Sequence, residues 1–278
     1  MSTLKYNTLK IKGLRDVLTQ ISNACSELEI DYFIVGALAR NVWFTQNNFP
    51  ARGTRDIDCA FYLPNEEKYN DLRELLQKKH SYTESTTNAF CFITPAGQAV
   101  DLLPFGEIEH DGKVMIEGQG LTSINLDGFQ EVFNNGKESV TIGDETYFTC
   151  SIPGVVILKL IAYDDRPEQR MKDVKDINEI CQHYQVIEQE DIWEHHNDLF
   201  AMEVDNFDVG MQALGREMKK LVFENEGLSK RISNIINKAL TQETTFLSLM
   251  IQNSMEETLD MKTKIIMNIQ QGFLEEYK

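Results

Sequence analysis

The chain has 278 residues, 42% of them hydrophobic, which suits one large domain or two ordinary ones with a real core. Its 27 Lys and Arg against 44 Asp and Glu give a formal charge of −17, which repels long polyanions but does not exclude a small nucleotide pocket or a local basic strip for an RNA end. Five isolated cysteines (Cys25, Cys59, Cys91, Cys150 and Cys181) without zinc-type spacing, no apolar signal block in Met1 to Gly13, and a most apolar helix (Val155 to Tyr163) too short for a span predict a cytoplasmic protein with no membrane association.

Apolar residues at Val17, Leu18, Ile21, Cys25 and Leu28 predict a helix from Leu14, followed by a buried strand at Tyr32-Phe33-Ile34-Val35. Gly36 ends that strand, Ala37 to Phe44 resumes as a helix, and Asn47-Asn48-Phe49-Pro50 breaks it. A second strand is expected over Asp56 to Leu63. After Pro64-Asn65 comes a helix with Tyr69, Leu72, Leu75 and Leu76 on its apolar face. Ala89 to Thr94 and Ala99 to Leu103, joined by Pro95-Ala96-Gly97-Gln98, read as a hairpin, as do Ser139 to Ile142 and Thr146 to Thr149 around Gly143-Asp144-Glu145.

Beyond Cys150 the pattern turns helical. Ser151 is a good N-cap with Pro153 in the first turn of a helix running toward Tyr163, and Asp164 to Pro167 punctuates it. Met171, Val174, Ile177, Ile180, Cys181 and Tyr184 mark a second amphipathic helix, and the remainder is helix-like without proline. The expected organisation is an α+β domain over residues 1–150, with a mixed β-sheet flanked by helices, followed by a helical C-terminal domain over 151–278. The helical part carries Met211, Leu214, Met218 and Leu221 as a core stripe, whereas Phe246 to Met250 and Ile265 to Ile269 could pack on another protein. The adjacent His195 and His196 face different sides of a helix, so a shared metal is not expected of them.

Three places carry chemistry. On a strand, side chains two apart share a face, so Asp56 and Asp58 present two carboxylates together while Ile57 points inward. Two carboxylates plus phosphate oxygens make a Mg²⁺ site, although a solvated strand face offers the same pattern. Gly36-Ala37, between a buried strand and a helix, lets backbone N–H groups approach a phosphate at the positive helix end, and many strands also end in glycine for structural reasons alone. Arg40, Arg52 and Arg55 could hold phosphate or balance the acids. Asp101, a lone acid in Ala99-Val100-Asp101-Leu102-Leu103, needs a metal, a proton-accepting role or a salt-bridge partner.

The order of these elements resembles the nucleotidyltransferase superfamily, and within it the AbiEii- and AbiGii-type toxin-like nucleotidyltransferases of abortive-infection and toxin–antitoxin systems. The residues that carry the resemblance are Val35-Gly36-Ala37-Leu38-Ala39-Arg40, Arg52-Gly53-Thr54-Arg55-Asp56-Ile57-Asp58 and Val100-Asp101-Leu102-Leu103. Downstream, Leu158-Lys159-Leu160-Ile161-Ala162 through Arg166, and Lys172-Asp173-Val174-Lys175-Asp176-Ile177, look like that group's helical motif.

The resemblance implies NMP transfer from an NTP to an acceptor hydroxyl, with Mg²⁺ or Mn²⁺ as cofactor and Asp56, Asp58 and Asp101 as metal and base residues. It also implies nucleotide contacts from Gly36, Ala37, Arg40, Lys159 and Asp176, with the helical domain completing the site. The acceptor is a protein side chain, a tRNA end or a small molecule, and an antitoxin-like protein is a possible partner. Where the family turn usually reads Gly-Gly or Gly-Ser, this chain has Gly36-Ala37 and lacks the hydroxyl. A noncatalytic nucleotide-binding or partner-binding protein of the same fold is the competing expectation.

Overall fold

The computed structural model describes residues 4–54, 56–110, 112–202, 205–241, 245–251 and 258–275. The chain divides into two compact units, Met1–Cys150 and Ser151–Lys278. The fold class expected from the sequence is what the structure shows: an α+β unit with a mixed sheet, then an all-helical unit.

In the first unit, α1 (Leu14–Leu28) leads into β1 (Asp31–Ile34), α2 (Gly36–Gln46), β2 (Asp56–Tyr62) and α3 (Glu66–His80). Then come β3 (Thr83–Glu84), β4 (Cys91–Ile93), β5 (Ala99–Phe105), the β6 (Lys113–Met115) and β7 (Ser123–Asn125) ribbon, α4 (Phe129–Asn135), β8 (Lys137–Ile142) and β9 (Glu145–Cys150). Seven strands form one sheet in the order β3-β4-β5-β2-β1-β9-β8. The β2–β5 and β1–β9 pairs are parallel and the others antiparallel. Both expected hairpins are present as β4–β5 and β8–β9, while β3, α4 and the β6–β7 ribbon add to the expected set.

Successive side chains of each strand alternate between the two faces of the sheet. Ile57, Cys59 and Phe61 of β2 are fully buried on one face, where α1 and α3 pack together. On that side Tyr32 stacks on Phe61 with ring centres 5.8 Å apart, and Arg73 of α3 lies 5.6 Å from the Phe92 ring centre. Asn65 starts α3 by accepting the Lys68 N–H at 2.9 Å, a cap worth about 1 kcal/mol. The opposite face is apolar at one end only. There Phe33, Tyr62, Phe105 and Phe133 of α4 meet with ring centres 5.3–5.9 Å apart. Asp56, Asp58 and Asp101 occupy the other end of that same face, by the same two-residue alternation.

The second unit comprises α5 (Ile152–Asp165), α6 (Met171–Ile187), α7 (Gln189–His195), α8 (Asn206–Val222), α9 (Glu226–Thr241), α10 (Thr245–Met250) and α11 (Leu259–Leu274). Ser151 caps α5 by accepting the Gly154 N–H at 3.3 Å, with Pro153 in the first turn. Its core includes Met211, Leu214, Met218 and Leu221 of α8, and the unit also buries Phe246, Leu247, Met250, Ile265, Ile266 and Ile269. α8 and α11 approach closely because Gly215 and Gly272 have no side chains: a Cβ on Gly272 would lie 1.9 Å from the Gln212 carbonyl oxygen. No helix of the described residues is long and apolar enough to cross a membrane.

Candidate active site

The site of the first unit is assembled by strand register. β2 and β5 run parallel with Asp58 opposite Asp101 and Asp56 opposite Ala99, which sets two carboxylates side by side on strands roughly 4.8 Å apart. Asp56 is exposed, and Asp58 and Asp101 are half-buried. Like charges opposite one another on a sheet repel, by about 3 kcal/mol at roughly 6 Å for an effective dielectric constant near 20. Among the described residues, these three acids are not a set whose ligand atoms all lie within 4.8 Å of one another.

Gly36 closes the site from above. The β1–β2 ladder is extended by the Val35 N–H donating to the Asp58 carbonyl at 3.0 Å, and the chain then leaves the sheet at Gly36 with φ +65°. A Cβ there would sit 2.2 Å from Asp58 Oδ2 and 2.9 Å from its Cγ, so the absence of a side chain is what admits the carboxylate. α2 begins at this glycine and Val35 supplies no side-chain cap, so the first-turn N–H groups of Gly36 and Ala37 form a positive helix end beside Asp58.

Cys91 reports on the same face from β4, where it lies opposite Asp101. Its thiol is pushed up to about 12, first by burial and then by the nearby Asp101 carboxylate, with Asp56 adding to it. Register and two-residue alternation put Asp101 and Asp56 on the Cys91 face of the sheet.

The segment before Asp56 is tied down by α2. Asn41 is fully buried, and its side chain accepts the Arg52 N–H at 3.3 Å while donating to the Arg52 carbonyl at 2.7 Å. Arg40 is 1% exposed, donates to Asn41 Oδ1 at 2.7 Å and lies 5.1 Å from the Phe44 ring centre. Thr54 Oγ1 lies 3.4 Å from the Asp56 N–H and 3.3 Å from its carbonyl oxygen. Arg52 is exposed, and Arg55 lies outside the described residues.

In the second unit, Lys159 of α5 is 7% exposed and donates to Asp173 Oδ1 at 2.6 Å and to Asp176 Oδ2 at 2.8 Å, both on α6. Burial pulls the Lys159 amine down, but the two carboxylates outweigh it and hold the amine above its ordinary value. The Lys159 and Asp176 of the sequence motif are thus direct partners. His195 is exposed, whereas His196 is buried with Nε2 3.0 Å from Glu217 Oε1. The sequence offers no signal for that contact, because Glu217 arrives from another helix.

The donor chemistry fits a divalent cation: half-buried carboxylates side by side, a third two residues along, and a glycine-made cradle that a Cβ would fill. Magnesium needs only one or two protein carboxylates when substrate phosphate supplies further oxygens. The five cysteines are all free and buried, as expected.

No protein-family model matches the sequence, and no curated protein matches it either. Among solved structures, the chain is similar to the antibiotic-resistance factor ANT(2″)-Ia at 14% identity and a TM-score of 0.40, over 66% of this chain and 96% of that one. A cyclic dinucleotide synthase, CdnE of Elizabethkingia meningoseptica, solved with GTP and Apcpp, matches at 13% identity and 0.30, over 96% and 93%. The CCA-adding enzyme of Thermotoga maritima, solved with tRNA, matches at 10% and 0.28, over 95% and 80%.

Proposed function

We propose that this chain is a Mg²⁺-dependent nucleotidyltransferase that moves an NMP from an NTP to an acceptor hydroxyl. The observation that carries the reading is the in-register pairing of Asp58 with Asp101 on parallel strands, beneath a glycine whose missing side chain admits the Asp58 carboxylate. Asp56 and Asp58 are the residues that would hold the ion, and Asp101 either shares it or accepts a proton. When bound, Mg²⁺ supplies charge neutralisation for a triphosphate.

The chain's own residues do the rest. The first-turn N–H groups at Gly36 and Ala37 offer donors to phosphate oxygens. The acceptor oxygen attacks the α-phosphorus, the bond from that phosphorus to the bridging oxygen breaks, and pyrophosphate leaves with the electron pair. Where Asp101 does not share the ion, its carboxylate takes the acceptor proton. Arg40, Lys159 and Asp176 already engage buried partners, and any contact they make to nucleotide is made from those positions.

The acceptor class is a protein side chain, a tRNA end or a small molecule. Placement beside the abortive-infection toxin-like group, and with it an antitoxin-like partner, rests on the motifs Val35 to Arg40, Arg52 to Asp58 and Lys172 to Ile177. The test is to incubate the protein with each α-labelled NTP, Mg²⁺ and a cell extract, beside an Asp56→Asn, Asp58→Asn double variant. Label should move covalently to an acceptor with the parent only, and Mg²⁺ with NTP should raise the parent's melting temperature by mass action. Nucleotide binding without transfer in every extract would favour a noncatalytic protein, and an unchanged metal response in the double variant would put the metal elsewhere.

A further inference from the structure

α7 ends in two adjacent histidines with opposite fates. The His195 side chain is 58% exposed, while that of His196, which follows the helix, is 7% exposed. The His196 N–H is fixed by donating to the Ile192 carbonyl at 3.0 Å, and the imidazole is buried with its Nε2 near side chains of α7 and α8. There Nε2 lies 3.0 Å from Glu217 Oε1 of α8 and 3.9 Å from Asp191 Oδ2 of α7. One donor atom from each of the three side chains lies within 4.8 Å of the other two.

We propose that Asp191, His196 and Glu217 form a binding site for a divalent transition ion of zinc's kind, separate from the acids of the sheet. A tetrahedron with bonds about 2.0–2.1 Å long has edges of roughly 3.3 Å, which falls between the two separations measured from Nε2, and the longer edges would draw in around the ion. The chemistry of the donors selects the ion. An imidazole nitrogen with two carboxylates suits zinc and its neighbours, whereas Mg²⁺ and Ca²⁺ take oxygen donors. Asp191 is 38% exposed at its side chain, so the set opens to solvent on one side and leaves a coordination position for water or an outside ligand.

A competing partner is present. Lys220 Nζ lies 3.1 Å from Glu217 Oε1, and a cation would displace it. Lys220 is 44% exposed at its side chain, so water lies within reach of its ammonium, whereas the His196 side chain is 7% exposed. The ion would tie the end of α7 to α8, two helices that both pack on α6.

The experiment strips the Asp56→Asn, Asp58→Asn protein with chelator, adds Zn²⁺, desalts and measures bound metal and melting temperature. That background silences the proposed magnesium site, so failure here and failure of the transfer reading are separate results. The expected result is about one zinc per chain and a raised melting temperature, both kept in excess Mg²⁺ and both lost on adding His196→Ala. Asp191→Asn, at the exposed rim, is the second variant because it preserves packing and should weaken retention at least tenfold. No zinc retained by the background protein, or equal retention by both ligand variants, would overturn the site.

Discussion

The sharpest consequence of the geometry lies at Gly36, and Gly36→Ala isolates it. Two costs add at this position. At φ +65° alanine occupies left-handed backbone, a strain of about 1–2 kcal/mol. The new Cβ would also stand 2.2 Å from Asp58 Oδ2, and a tolerable contact is about 3 Å or more, so the carboxylate must retreat by roughly 1 Å. A misplacement of that size costs on the order of 10² in rate, or about 2.7 kcal/mol in the barrier. The strain alone lowers the melting temperature by about 2–8 °C in a unit of this size, too little to unfold a protein of ordinary stability at 25 °C. Rate and stability should therefore separate: transfer falls about 100-fold or more in a protein that is still folded. The assay is label transfer from NTP at 25 °C beside a melting curve and the Mg²⁺-dependent melting shift. Transfer at the parent rate by folded Gly36→Ala would refute the close approach of Gly36 to Asp58 as a condition of the chemistry.

Asp101→Asn keeps the size and removes the charge, so nucleotide affinity should stay within a few-fold while transfer drops by about 10² or more; a stable variant with normal transfer would take Asp101 out of the site. Lys159→Met leaves Asp173 and Asp176 buried without their shared ammonium and should cost about 3–5 kcal/mol, read by denaturant unfolding; a loss below about 1 kcal/mol would mean the trio is not a structural support. All five cysteines are buried, and the Cys91 and Cys181 thiols are pushed up to about 12, in each by burial first, so at pH 8 the native protein should resist alkylation that the unfolded protein accepts. For these thiols the raised value means the neutral form dominates throughout the neutral range, and reactivity returns only on strong alkalinisation or unfolding. Mass spectrometry of the labelled native chain checks this, and one modified cysteine at pH 8 would contradict it.

How much of this was written in the sequence depends on the distance over which the information acts. The strand stop at Gly36, the Asp56 and Asp58 spacing and the hairpin turn at Pro95 to Gln98 are local, and periodicity with turn chemistry exposes them. The two-residue β3 and the three-residue β6 and β7 are too short to show a period of two, and the seven-residue α4 starts after Gly128 without a side-chain cap, so none carries a local signature. Arg40 shows the limit in another way. Its position one turn into α2 says nothing about direction, and the fold turns its guanidinium toward Asn41 and Phe44, where it braces the Arg52 segment. His196 with Glu217 is the extreme case, because a pair supplied by two helices exists only once they pack.

The sheet order explains why the acids and the helix end arrive together. β2 and β5 are parallel, so Asp56, Asp58 and Asp101 all lie toward the beginning of their strands at one end of the sheet. β1 is antiparallel to β2, so it finishes at that same end, with Ile34 opposite Cys59, and hands over to α2 one residue beyond. A purely parallel sheet would put helix N-termini at the carboxyl ends of its strands, away from acids placed early in them. Here β1, the antiparallel neighbour of β2, brings the positive end of α2, equivalent to roughly half a charge, onto the carboxylates. Asp58 already occupies part of that field, and an incoming triphosphate adds charge of the same sign as the acids. On the proposed reading, the phosphate and the carboxylates can share the site only with a divalent ion between them, and this is the physical reason the melting response should need metal and nucleotide together.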